Sequence, residues 1–430
     1  MTVSTTVASL RRPFALTLAL ALALAFSAFA QKQPGPQGPR GPIAKARQSP
    51  AENYTIEQSV SEQAQLSTIA FSALAFMTGT FGADTFLPPG KVADYFGFQY
   101  MRDVDVREAG HNMMFLTNIA NNTLAILDDS QKALLLALAK EQEPRYAELA
   151  KKRLPLIKAF RENLEGNAPK GVTGLSQAAV ESWVSDLFAL DGGLALERAQ
   201  TYGAIADSLV PAQKAAIATL KFGDSSTWPE LPDQVDKRTM THGQDVLFQT
   251  YASEFFSWYA GSETADVYFC PERHGTYFGG FYMKDYPAMG QRDYFIPTAL
   301  TGDSGQAFIG LLTPAQAERI TSMTTQLQPI LEGILEIRRS ISKEFRRCLN
   351  GGSPDEELVM ALSKKYGELD GRISYLMADR FAAVYKTLSS AQKAAMVELR
   401  NQDVFPDGYY LYADLVREPL APETAPLFSK

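Results

Sequence analysis

Leu312-Thr313-Pro314-Ala315-Gln316 reads as the start of a helix, and the chain writes that start four times. Leu127-Asp128-Asp129-Ser130-Gln131, Leu209-Val210-Pro211-Ala212-Gln213 and Leu388-Ser389-Ser390-Ala391-Gln392 share its form, Leu-x-x-x-Gln. A side-chain oxygen at Asp128, Thr313 or Ser389 can accept a backbone N–H of the first turn. The glutamine three residues on can reach back to the cap's own N–H. Pro211 and Pro314 fall at the first helical position, where a missing N–H costs nothing. Val210 has no oxygen, so its motif lacks half of the capping chemistry.

The segments that follow are patterned for helices. Leu358, Leu362, Tyr366, Leu369, Ile373 and Leu376, continued by Phe381, Val384, Tyr385 and Leu388, recur at spacings of three, four and occasionally five. One apolar face results, which predicts a helix from Pro354 to Leu388 of about 35 residues and roughly 50 Å. Asn350-Gly351-Gly352-Ser353 is the turn before it, and Gly166 to Gly174 is its match in the first half of the chain.

The chain contains itself twice. Ala83 to Asp103 aligns without a gap on Ala265 to Asp285, with nine identities in 21 positions at an offset of 182 residues. Downstream, Leu127 pairs with Leu312, Phe160 with Phe345, Leu190-Asp191-Gly192 with Leu369-Asp370-Gly371, and Ala212-Gln213 with Ala391-Gln392. Upstream, the apolar stretch from Tyr54 to Met77 matches Val246 to Tyr259, with Trp258 in place of Phe76. A duplicated unit of this length predicts an all-α fold of two homologous helical domains in tandem, residues 54–240 and 241–420. Each would hold about four helices in hairpins, behind an irregular, aromatic-rich N-terminal segment. Gly223 to Gly243, with Pro229 and Pro232, reads as a surface connection, and residues 421–430 as a C-terminal tail.

Arg11 and Arg12 precede an apolar run from Phe14 to Phe26 that ends in Ala28-Phe29-Ala30, a small-x-small cleavage site. Residues 1–30 read as a signal peptide, too short in its apolar core to span a bilayer, which places the mature protein in a periplasm or outside the cell. The twin arginine lacks the Ser or Thr usual before it, which favours ordinary secretion. Residues 31–53, rich in Pro, Gly and Gln, form an extended tether, and no later stretch is apolar enough to span a membrane. Removing residues 1–30, with two arginines and no acids, takes the formal charge from −7 to −9. An acidic surface excludes nucleic acid as a partner. Cys270 and Cys348 are the only cysteines; they can pair after export or remain buried thiols.

The duplicated signature concentrates the candidate binding residues. Asp84, Lys91, Tyr95, Tyr100 and Asp103 stand in one copy, and Asp266, Arg273, Tyr277, Tyr282 and Asp285 in the other. Aspartates with tyrosines and a fixed cation suit a hard divalent cation or a polar ligand, in two equivalent sites; buried aromatics with paired charges are the structural alternative. Nothing in the sequence requires a cofactor. A single transition-metal site would draw on Cys270 and His274, because no metal-binding His or Cys spacing occurs. Gly302-Asp303-Ser304-Gly305 matches a trypsin-like nucleophile segment in letters only, and reads as a polar loop. No phosphate loop, Ser/His/Asp or Cys/His arrangement appears, so no catalytic residue is assigned.

Thr313-Pro314-Ala315-Gln316, a second helix bearing Arg338-Arg339, a Gly-rich turn, a long third helix and Leu388-Ser389-Ser390-Ala391-Gln392-Lys393 together resemble the LTxxQ proteins of the bacterial periplasm, the CpxP/Spy family. The resemblance covers 312–403 and, more faintly, 127–222, with motif pairs 82 and 76 residues apart. It implies an ATP-independent chaperone or envelope-stress protein whose partners are protein clients or an envelope component. Family members form curved all-α dimers, so two copies in one chain would make a pseudo-dimer. Under that resemblance the motif residues Asp128, Gln131, Gln213, Thr313, Gln316, Ser389 and Gln392 mark the family's helix starts.

Overall fold

The structure is a computed structural model that describes residues 53–54, 60–78, 114–221, 227–261, 263, 296–297, 299–400 and 423–430, all within one compact unit, Arg40–Lys430. Its helices in chain order are α1 (Glu62–Thr78), α2 (Met114–Ile126), α3 (Asp129–Glu165), α4 (Gln177–Ser208), α5 (Pro211–Thr219), α6 (His242–Ala260), α7 (Ala299–Leu311), α8 (Pro314–Thr321), α9 (Met323–Arg346), α10 (Glu356–Tyr385) and α11 (Ser390–Arg400). Among the described residues, strands are confined to four pieces of two residues: β1 (Asn53–Tyr54), β2 (Gly174–Leu175), β3 (Ile296–Pro297) and β4 (Phe428–Ser429). The fold is therefore all-α. β1 pairs antiparallel with β3, and β2 with β4, so the chain's last residues are tied to the turn before α4.

Local chemistry places the helix starts where the motifs lie. Asp128 caps α3 and Thr313 caps α8, each in extended backbone and each completed by the glutamine at the third position. α5 begins at Val210 without a side-chain cap. α3 stops at Gly166, whose φ of 79° is left-handed and open to glycine at no steric cost. The long apolar-faced helix α10 runs from Glu356 to Tyr385, starting two residues later than its pattern predicts because Asp355 caps it, accepting from the Leu358 N–H at 3.0 Å. α8 and α9 together occupy the interval that α3 fills in the first half, with a break at Ser322.

Two elements depart from the sequence expectation. Gly302-Asp303-Ser304-Gly305 lies inside α7 and is not a loop. Tertiary packing overrides the weak helix propensity of glycine here, since Gly305 is buried and α7 packs chiefly on α1. The connection before α6 is largely exposed but carries an anchor. Trp228 is buried against Phe256, its ring N–H donates to the Lys221 carbonyl, and Asn122 on α2 donates to the Pro229 carbonyl.

The described residues form two apolar cores, and each borrows a helix from across the chain. One joins α1 to α7, α8, α9, α10 and α11, with the C-terminal end of α3 and the start of α4. The other joins α6 to α2, most of α3, the rest of α4 and α5, with Ile341 and Phe345 at the end of α9, Cys348, and Val359 on α10. α1 thus packs mainly with helices of the second half of the chain, and α6 mainly with helices of the first half. α1 is apolar around nearly its whole circumference, as a helix sunk into a core must be. Ile69, Leu74 and Phe76 are fully buried. At about 1.5–3 kcal/mol each, they favour its docking by roughly 5–9 kcal/mol before the cost of ordering it.

The two bundles meet where α4 and α10 cross antiparallel. Glu181 lies by Arg372, Ser185 by Lys364, Phe188 by Tyr366, Gly192 by Ser363 and Gln200 by Glu356. Glycine makes this approach possible. A Cβ on Gly367 would stand 2.6 Å from the Ser185 Cα and the Val184 carbonyl oxygen, and one on Gly371 would stand 2.8 Å from the Glu181 Cα.

Candidate functional site

The motif glutamines do more than cap. Gln131 accepts the Asp128 N–H at 2.9 Å and Gln213 accepts the Val210 N–H at 3.0 Å, which completes the helix starts. Their amide groups also face each other: Gln213 Nε2 donates to Gln131 Oε1 at 2.8 Å, and Gln131 Nε2 donates to Gln213 Oε1 at 3.2 Å. The second proton of each amide is used as well, by Ser208 Oγ and by the Ile126 carbonyl. Both donors and both acceptor sites of each side chain are thereby satisfied.

The second half repeats this clasp. Gln316 accepts the Thr313 N–H at 2.9 Å and Gln392 accepts the Ser389 N–H at 2.9 Å. Gln392 Nε2 donates to Gln316 Oε1 at 2.8 Å and to the Leu311 carbonyl at 2.9 Å, while Gln316 Nε2 donates to the Thr387 carbonyl and hydroxyl. Each clasp ties the start of one hairpin arm to the end of the other, which gives the motif separations of 82 and 76 residues a physical meaning. It also explains the choice of glutamine. A capping box tolerates Glu or Gln alike, but only an amide can both accept from the cap and donate across the clasp. At Asp128, hydrogen bonds from the Ser130 hydroxyl and the Gln131 N–H hold the carboxyl below its usual range.

A second constellation is buried in the α6 bundle and was not singled out by sequence reasoning. Arg198 on α4 is fully buried, its guanidinium over the rings of Tyr146 and Tyr251 and 3.9 Å from the Glu254 carboxylate on α6. Tyr202 donates to Glu254 at 2.9 Å and Tyr251 donates to Gln142 at 2.6 Å. Gln142 accepts from Arg198 at 3.4 Å and donates to the Leu194 carbonyl and to Glu197. Burial, and then the neighbouring Glu254 charge, push the Tyr202 hydroxyl far above the usual tyrosine range. The signal was present in the sequence. Leu194, Arg198 and Tyr202 run at spacings of four along one face of α4, and Tyr251, Glu254 and Trp258 run at spacings of three and four on α6, so a charge stands in each apolar stripe.

The duplicated signature, with Asp84, Lys91, Tyr95, Tyr100, Asp103, Asp266, Arg273, Tyr277, Tyr282 and Asp285, lies outside the described residues, as do Cys270 and His274. Cys348 is a free thiol packed against Gly203, and burial pushes its pKa up. Among the described residues no cluster of three or more His, Cys, Asp or Glu side chains could hold a metal ion, and no helix is long and apolar enough to cross a membrane. A small cavity sits at the α4–α10 crossing, lined by Phe188, Asp191, Ile341, Phe345, Ser363 and Tyr366 among others. It has room for about one water molecule. Among the described residues the large apolar side chains that are exposed, Leu66, Leu134, Leu190, Val210, Leu358 and Val397, are scattered over five helices and the cap before α5. No family model matches the chain, and no curated protein or solved structure does either.

Proposed function

We propose that this is an exported helical binding protein, chaperone-like or protective under envelope stress, that holds partly unfolded proteins or an envelope partner. The observation that supports the reading best is the paired Leu-x-x-x-Gln motif, whose glutamines clasp each other in both halves of the chain. Four such motifs in an acidic chain with a signal-like N-terminus are the residues on which the resemblance to the LTxxQ proteins rests. The test is suppression of client aggregation. Mature protein of verified helicity, at several-fold molar excess over a thermally or chemically unfolded client, should lower light scattering without ATP. Unchanged scattering with three unrelated clients would remove the proposal.

A second reading comes from the signature itself. Two copies of a segment carrying two aspartates, a cation and several tyrosines suit two equivalent sites for a divalent cation or a small polar ligand. Elemental analysis of protein purified from its native compartment distinguishes the two readings. Two metal equivalents per chain would favour the ligand reading, and one equivalent would point to Cys270 and His274.

A further inference from the structure

Duplication creates an ambiguity that folding must resolve. The leading helices α1 and α6 derive from matching segments, and the two bundles that receive them derive from matching segments too. Each helix is held by the same latch. Arg161 donates to the Phe76 carbonyl at 3.0 Å, and Arg346, at the matching position, donates to the Trp258 carbonyl at 2.8 Å. A carbonyl oxygen is the same on every residue, so this latch cannot tell one helix from the other.

The buried cluster can. At the offsets that superpose the motifs, Gln142, Tyr146, Arg198 and Tyr202 correspond to Leu327, Leu331, Met377 and Phe381, all buried in the other core. On the docked helices, Tyr251 and Glu254 of α6 correspond to Ile69 and Ser72 of α1, also buried. One receptor is therefore charged and hydrogen-bonding, and the other is apolar at every matching position. The apolar version shows that these positions can be filled without ions. A buried ion pair exchanged for well-packed apolar residues generally costs no stability, whereas splitting the pair is expensive.

We propose that the Arg198–Glu254 cluster is a selector, which assigns α6 to the α2–α3–α4 bundle and leaves α1 to the α7–α9–α10 bundle, within one chain and between chains. In the exchanged arrangement Glu254 would lie among Leu327, Met377 and Phe381, a buried carboxylate without a cation. Arg198 and Gln142 would face Ile69 and Ser72, a buried guanidinium without a carboxylate. Both errors are made at once, so the exchange is penalised on both sides. The same penalty acts between molecules when α1 of one enters the α6 site of another or the reverse, whereas α6 in place of α6 keeps the pair.

The experiment converts the charged receptor and its helix to the residues of the apolar one in the full-length chain: Gln142→Leu, Tyr146→Leu, Arg198→Met, Tyr202→Phe, Tyr251→Ile and Glu254→Ser. Wild type and variant are unfolded in denaturant and refolded. Circular dichroism, size-exclusion chromatography and cross-linking mass spectrometry then report helicity, assembly state and the neighbours of residues 242–260. The variant should match or exceed the wild-type melting temperature with equal helicity. It should nevertheless elute as several species, and links from 242–260 to 323–335, the part of α9 that faces α1 in the native arrangement, should rise at least tenfold over wild type. A variant that refolds to one species with wild-type links overturns the proposal, because fidelity then does not need the cluster. A variant that loses helicity also overturns it, because the cluster is then required for stability itself.

Discussion

Gln316→Glu is the sharpest test of the clasp, because the substitution keeps everything that helix capping requires. Glutamate at this position still accepts the Thr313 N–H, and as a capping residue it should be neutral. What it loses is donation. Gln316 Nε2 gives hydrogen bonds of 3.0 and 3.1 Å to the Thr387 carbonyl and hydroxyl, and the residue is only 8% exposed. The Thr387 hydroxyl already donates to the Val384 carbonyl at 2.7 Å, so it cannot turn to satisfy a new carboxylate oxygen without giving that bond up. Two hydrogen bonds are lost at about 0.5–1.5 kcal/mol each, and a carboxylate oxygen is pressed on a carbonyl oxygen in their place. A destabilisation of about 2–4 kcal/mol at pH 8 follows. The pH dependence has a definite sign. Burial beside a carbonyl raises the folded-state pKa of the new glutamate, so its penalty is full above that value. The penalty fades as pH falls toward the unfolded value of about 4.3, where the protonated acid can donate again. Urea denaturation of wild type and variant at pH 8 and pH 4.5 measures both quantities. Equal stability at pH 8 would reduce the motif to a helix start and refute the clasp.

Neighbouring glycines in α4 should respond with opposite signs. Gly193→Ala meets nothing within 4 Å and should stabilise by up to about 1 kcal/mol, whereas a Cβ on Gly192 falls 2.5 Å from the Ser363 Cβ and should cost about 1–3 kcal/mol, partly recovered by adding Ser363→Gly in a double-mutant cycle. For Glu181, burial alone would raise the pKa, but hydrogen bonds from Arg372 and Gln177 outweigh it and hold the carboxyl below its usual range. Its contribution is therefore present above the unfolded value and lost as pH falls through the lowered folded one, so Arg372→Met should flatten the stability–pH curve below about pH 4.3, as thermal melts across pH 2–6 would register. Residues 54–240 and 241–420 expressed separately should each show reduced helicity and exposed apolar surface, and should regain the full-length spectrum on mixing, because α1 and α6 dock into helices of the other fragment; two independently folded fragments would contradict the exchange.

The helix starts are legible in the sequence because capping is local: Asp128, Thr313 and Ser389 meet their partners three residues away. The all-α class follows from the same motifs and from the apolar face of α10. Less legible is anything that depends on which matching segment packs against which. An offset of 182 residues says that the segment around Phe76 and that around Trp258 are versions of each other. It is silent on whether each stays with its own copy, because both receptors show a helix the same latch. The glutamine clasp lies between these extremes, since the recurrence of the motif is visible while the partner of each amide appears only once the hairpin closes. For the signature, the chemistry of Asp84, Tyr95 and their counterparts remains a matter of residue types, as these positions lie outside the described residues.

Exchange of the leading helices gives the tandem chain a property that side-by-side domains would lack. If each copy folded on its own leading helix, the two would be joined chiefly by the α4–α10 crossing, by α3 against α10 and by the β2–β4 pairing, and openings there could part them. With α1 docked beside α7, α9 and α10, and α6 beside α2, α3 and α4, parting the bundles requires undocking helices whose buried side chains include Ile69, Phe76, Phe255 and Trp258. The crossing thereby becomes a joint that ordinary fluctuations do not open. Its glycines let two backbones approach so closely that small side chains such as Ser185 and Ser363 fill what space remains. Local openings are then confined to elements with fewer buried neighbours, such as the short helices α5 and α11 behind the clasps. α5 buries only Ile217, and Val210 and Val397 are exposed apolar side chains at the start of α5 and on α11. A protein that binds unfolded clients needs adaptable apolar surface on a frame that does not itself unfold. On the function proposed above, exchange supplies the frame, and the ends of the hairpins supply the adaptable surface.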